Sequence, residues 1–122
     1  MSQQRQLPPE IQKMIDQYQA IRENYVNLNV ELKAIESELV DIDHLLNILK
    51  GLNENAELYK LVGHVLIKMS RDEIVRELEE RREILVLKKD KYSKQLEIIS
   101  KQLKEFEDKI RESLSKYGIT IG

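Results

Sequence analysis

The stretch Glu57-Leu58-Tyr59-Lys60-Leu61-Val62-Gly63-His64-Val65-Leu66-Ile67-Lys68-Met69 decides the fold. Aliphatic, β-branched and aromatic residues stand on both sides of a single glycine. A Gly-X pair is what a two-residue type II′ turn requires, because glycine takes its first central position without steric cost. Residues 57–69 therefore read as a β-hairpin turning at Gly63-His64. Side chains alternate across a strand, so pairing Val62 with Val65 puts Leu58, Val62, Val65, Ile67 and Met69 on one face, with Tyr59, Leu61 and Leu66 on the other. Both faces are apolar.

On the N-terminal side, apolar residues recur in steps of three and four: Ile11, Met14, Tyr18, Ile21, Tyr25, Leu28, Leu32, Ile35, Leu39, Ile42, Leu46 and Leu49. A 3.5-residue period sustained this long keeps one stripe facing a partner helix and specifies a supercoil over residues 10–50. Pro8 and Pro9 suit its first turn, and Lys50-Gly51 its end. On the C-terminal side, Ser70-Arg71-Asp72-Glu73 has the spacing of a capping box, flanked at staple positions by Met69 and Ile74. A second seam follows over residues 71–117: Val75, Leu78, Arg82, Leu85, Lys89, Tyr92, Leu96, Ile99, Leu103, Phe106, Ile110, Ser113 and Tyr117. Arg82, Lys89 and Ser113 interrupt it. Each helix should extend roughly 60 to 70 Å at about 1.5 Å per residue. Two helices of nearly equal length joined by a short connector predict a mainly α fold. It is an antiparallel coiled-coil hairpin with a short β-hairpin between the helices, forming a single domain over residues 1–122.

The totals agree with an elongated chain. Of 122 residues, 34% are charged and only 5% aromatic, poor material for a compact globule. Twenty Lys and Arg nearly cancel 22 Asp and Glu, so no large field of one sign is offered to DNA or an anionic membrane. Cysteine is absent, which excludes disulfides and thiolate metal sites. The polar segment Met1–Pro9 lacks the apolar core of a signal peptide, and the expected location is cytoplasmic.

An isolated two-stranded ribbon is marginal in water and leaves two unpaired edges, and nothing else in this chain reads as sheet. Other chains must cover it. Leu45, Ile48, Ile84, Val86 and Leu87 fall outside the seams near the ribbon and are expected to touch a neighbouring subunit.

Around the turn, Tyr59-Lys60-Leu61-Val62-Gly63-His64-Val65-Leu66-Ile67-Lys68, followed by the charged helix start at Ser70 to Glu73, resembles the prefoldin β class, which includes the archaeal β subunit and the eukaryotic subunit six. The resemblance implies a hexamer of two α-class and four β-class subunits whose ribbons close into a β-barrel. It further implies an ATP-independent chaperone that captures unfolded proteins at coiled-coil tips and delivers them to a group II chaperonin. Carried onto this chain, Tyr59, Leu61, Val62, Gly63, Val65, Leu66 and Ile67 would build the assembly. Client contact is assigned by position alone, to Leu7, Ile11, Met14 and Ile15 at one end and Leu114, Tyr117, Ile119 and Ile121 at the other.

Other chemistries find little support. His44 and His64 have no acidic or cysteine partner at ligand spacing, so no metal or other cofactor is expected. Glu77, Glu79, Glu80 and Glu83 read as a solvated face, since acid–base catalysis needs a pocket, and the four glycines form no phosphate-cradling loop. No enzymatic activity is expected. The basic cluster Arg81, Arg82, Lys88, Lys89, Lys91 and Lys94 suggests phosphate contact, but it faces Glu31, Glu36, Glu38 and Asp43 and reads better as charge pairing across the coil. A plain coiled-coil scaffold without chaperone activity is the competing reading.

Overall fold

The structure, a computed structural model, describes residues 7–118. Helix α1 spans Pro9–Lys50, strand β1 Leu58–Val62, strand β2 Val65–Met69 and helix α2 Arg71–Lys116. The chain divides into a terminal unit, within Met1–Glu31 and Tyr92–Gly122, and a hairpin unit, Leu32–Lys91.

In both units α1 and α2 lie antiparallel, and the α1 seam is inside at every position expected of it. Leu32, Ile35, Ile42, Leu46 and Leu49 are buried in the hairpin unit, Ile11 in the terminal unit, and the other six positions are half-buried. On α2, Leu85, Leu96 and Ile110 are buried. The end of this second seam departs from the expected path. Ser113 is only half-buried and Tyr117 is 54% exposed, while Leu114 is 5% exposed. After Ile110 the stripe takes a four-residue step, which turns the aliphatic Leu114 inward in place of the polar Ser113.

The helix boundaries follow from local chemistry. Pro9 fills the first helical position, where no N–H is needed, and the carbonyl of Pro8 accepts from the Gln12 amide at 3.0 Å. α1 ends in tightened turns, with Gly51 N–H on the Ile48 carbonyl and Leu52 N–H on the Leu49 carbonyl, at 3.1 and 3.2 Å. Gly51 keeps a negative φ, so this end does not use a left-handed cap. Ser70 caps α2: its Oγ accepts from the Glu73 amide at 3.1 Å. Gly118 closes the other end at φ 71°, with its N–H on the Ser115 carbonyl at 3.0 Å.

The strands pair antiparallel as Leu58 with Met69, Tyr59 with Lys68, Lys60 with Ile67, Leu61 with Leu66 and Val62 with Val65. The register is the one the turn predicts. Gly63 has φ 60° and His64 a negative φ, a combination that fits type II′ and excludes type I′, where both central residues are left-handed.

Candidate functional site

Two surfaces stand out, one in each unit. In the hairpin unit, Tyr59, Leu61, Val62, Val65, Leu66 and Ile67 are 46% to 66% exposed, so both ribbon faces offer apolar side chains to solvent. Only the base pair, Leu58 and Met69, is half-buried. Gly63 lies at the turn with no heavy atom within 4 Å of a built Cβ.

Polar contacts hold the base of this ribbon. Lys60, which shares its strand face with Leu58 and Val62, has its Nζ 2.8 Å from Glu77 Oε2 on α2 and so ties β1 to that helix. Arg71 donates from Nη1 to the Leu52 carbonyl at 2.7 Å and lies 3.6 Å from Asp72 and 4.0 Å from Glu54. The loop it holds is shaped by Asn53, whose Oδ1 accepts from the Asn55 amide at 3.1 Å and whose carbonyl accepts from Ala56 at 3.0 Å. Sequence reasoning did not single out Arg71. The available signal was a cation in the first turn of a helix, where the dipole disfavours it unless its charge serves another contact.

On the helices of the same unit, Leu45, Ile48, Ile84 and Leu87 are exposed and Val86 half-buried. Two members of the basic cluster pair with α1 as expected. Arg81 grips Glu38 through two bonds, at 3.0 and 3.4 Å, and Arg82 Nε lies 2.7 Å from Asp43 Oδ1. The hydrogen bond to Asp43, with its charge, raises the Arg82 pKa further above the ordinary arginine range.

In the terminal unit, Ile11, Ile110 and Leu114 form a closed core, with Leu7, Met14, Ile15 and Tyr18 packed against it. The end residues expected to meet clients therefore differ in access. Leu7, Met14 and Ile15 are half-exposed and Tyr117 is exposed, whereas Ile11 and Leu114 are interior and hold the two helix ends together. Ile119 and Ile121 lie outside the described residues. The Tyr18 hydroxyl donates to Glu107 Oε1 at 2.8 Å, and this bond, then burial, raises the phenol pKa above its ordinary value.

Among the described residues no group of three or more His, Cys, Asp or Glu is placed to hold a metal ion, and no helix is long and apolar enough to cross a membrane.

Comparison with known proteins agrees with this geometry. The family model described as prefoldin subunit matches residues 12–117. Prefoldin subunit beta of Saccharolobus islandicus is 40% identical over 111 residues, covering 91% of this chain and 88% of the relative. That of Sulfurisphaera tokodaii is 33% identical over 111 residues, covering 91% and 89%. The crystal structure of the prefoldin beta subunit from Thermococcus strain KS-1 superimposes with a TM-score of 0.78 at 25% identity, over 91% of this chain and 97% of that one. The beta2 subunit of the same strain shares the fold, with a TM-score of 0.67 at 14% identity, over 75% of this chain and 97% of that one. The chain belongs to the prefoldin subunit family, on the side of its beta subunits.

Proposed function

We propose that this chain is one subunit of an ATP-independent holding chaperone, a hexamer of two α-class and four β-class subunits. It captures unfolded proteins at its coiled-coil ends and delivers them to a group II chaperonin in the cytoplasm. Prefoldin subunits are chaperone components rather than enzymes, and beta subunits assemble with other prefoldin subunits.

The observation that carries the proposal is the exposure of apolar side chains on both faces of a two-stranded ribbon. Such a ribbon gains stability only when neighbouring strands pair with its edges and cover its faces. Closure into a barrel satisfies both needs at once, with Tyr59, Leu61, Val62, Gly63, Val65, Leu66 and Ile67 in the joint. Leu45, Ile48, Ile84 and Leu87 extend that joint along the helices.

Holding a client requires no bond chemistry. Leu7, Met14, Ile15 and Tyr117 offer accessible apolar surface at the helix ends, and apolar contact is non-directional. Methionine adapts its shape to varied partners. Opening of the last turns would add Ile11 and Leu114, and Ile119 and Ile121 are assigned the same role from their sequence position. Several ends acting on one client turn weak contacts into avidity by raising the effective concentration.

The test is light scattering of a diluted, chemically unfolded protein without ATP, in the presence of this chain co-assembled with an α-class partner. Suppression of aggregation that is lost when the chain is trimmed to residues 16–113 supports the proposal. Unchanged aggregation in the presence of a fully formed complex leaves the scaffold reading in its place.

A further inference from the structure

One flank of the terminal unit carries a groove whose chemistry is more specific than a general apolar surface. Its α1 bank is Ile15, Gln19, Arg22 and Val26, and its α2 bank Ser100, Lys104, Glu107 and Arg111. Both banks follow the four-three-four spacing of a helix flank. Between them lies a floor of Tyr18, Tyr25, Leu103, Ile110 and Leu114. The two halves share Tyr18, Arg22 and Glu107, so the groove is continuous. From Ile15 to Val26 the helix rises about 16 Å, the length of about five residues of extended chain. The opposite flank of α1 presents Gln17, Ala20, Asn24 and Asn27, with no aliphatic side chain larger than alanine.

The banks are electrically one-sided. Arg22, Lys104 and Arg111 are exposed, and among the described residues none lies within 4.0 Å of a carboxylate. Among the described residues the single lining carboxylate is Glu107, and it already accepts the Tyr18 hydroxyl. The groove is thus positive in a chain whose net charge is −2, so its sign does not merely echo the composition.

Resting on the reading of this chain as a holding subunit, we infer that the groove binds unfolded segments that combine aliphatic residues with Asp or Glu. Aliphatic groups cover the tyrosine and leucine floor, and carboxylates meet the free cations on both banks. The subunit therefore discriminates among clients by charge as well as by hydrophobicity.

The experiment uses the full chain assembled with its α-class partner and a pair of short fluorescent peptides. Their apolar residues are identical, and their polar positions carry Glu in one and Lys in the other. Anisotropy titration at low ionic strength is expected to show the Glu peptide binding about tenfold tighter, with the difference shrinking as salt is added. The double variant R22Q/R111Q should sharply reduce the preference, leaving only what Lys104 supplies, and R22E/R111E should invert it, with thermal unfolding as the control for folding. Equal affinity of both peptides for the unaltered assembly overturns the inference, as does a preference for the Glu peptide that survives in R22E/R111E. If neither peptide binds, the inference also fails. Aggregation suppression by the same preparation then shows whether the holding reading fails with it.

Discussion

The Tyr18 hydroxyl donates to Glu107 Oε1 at 2.8 Å, joining α1 to α2 between residues 89 positions apart in sequence. Tyr18 also packs against the Ile11, Ile110 and Leu114 core, so one side chain serves both packing and a polar tie. Tyr18→Phe keeps the ring and removes the tie. A partly exposed hydrogen bond of this kind contributes about 1 kcal/mol, and thermal unfolding should detect the loss. The pH dependence has a definite sign. A phenol whose folded pKa is raised contributes stability in full below its unfolded value, about 10, and loses it as pH rises through the folded value. The stability gap between the two proteins should therefore be constant near neutrality and close above pH ~10.

Arg71 anchors the loop before the ribbon. Arg71→Ala leaves the Leu52 carbonyl without its guanidinium donor and is expected to cost about 1 to 2 kcal/mol. Amide exchange at the ribbon base, Leu58 and Met69, should accelerate more than exchange in the middle of α2. Arg71→Lys should recover only part of the loss, since an ammonium cannot reproduce the fork that reaches a carbonyl and two carboxylates.

The glycines divide by backbone conformation. Gly63 sits at φ 60°, so Gly63→Ala meets no clash but forces alanine into the left-handed region, a cost of about 1 to 2 kcal/mol. Gly51 has a negative φ, and a Cβ there would meet only the Ile48 carbonyl at an ordinary 3.5 Å. Gly51→Ala should be neutral or stabilising by up to about 1 kcal/mol. Chemical denaturation of both variants, followed at the assembled complex, checks the contrast.

Much of this architecture is legible in the sequence because two periods carry it. The seam of α1 emerges residue by residue, since a 3.5-residue repeat leaves one possible inner stripe. The ribbon register follows from Gly63, since the turn that needs it pairs Val62 with Val65. Contacts that depend on the path of a loop were hidden. Nothing in the spacing of Arg71 reveals that its acceptor is the backbone of Leu52, 19 positions earlier. The α2 end also defeated a strict repeat, because a four-residue step after Ile110 costs less than burying Ser113. That step puts Leu114 inside and leaves Tyr117 in solvent. It also divides the expected client residues into an inner pair, Ile11 and Leu114, and an accessible set, Leu7, Met14, Ile15 and Tyr117.

Assembly through the ribbon makes a prediction of its own. Leu66 is 64% exposed opposite Leu61, so Leu66→Glu should leave the helical circular dichroism of the isolated chain unchanged. In the assembled joint the same carboxylate would be buried without a partner, at a cost of several kcal/mol. Sedimentation should show the variant failing to enter a complex that the unaltered chain forms.

The most direct measurement is the native mass of this chain mixed with an α-class partner. A hexamer containing four copies of this chain and two of the partner, lost on Leu66→Glu, is the predicted result. A chain that stays monomeric beside its partner, or a hexamer that tolerates Leu66→Glu without change, would contradict the assignment of the ribbon as the joint.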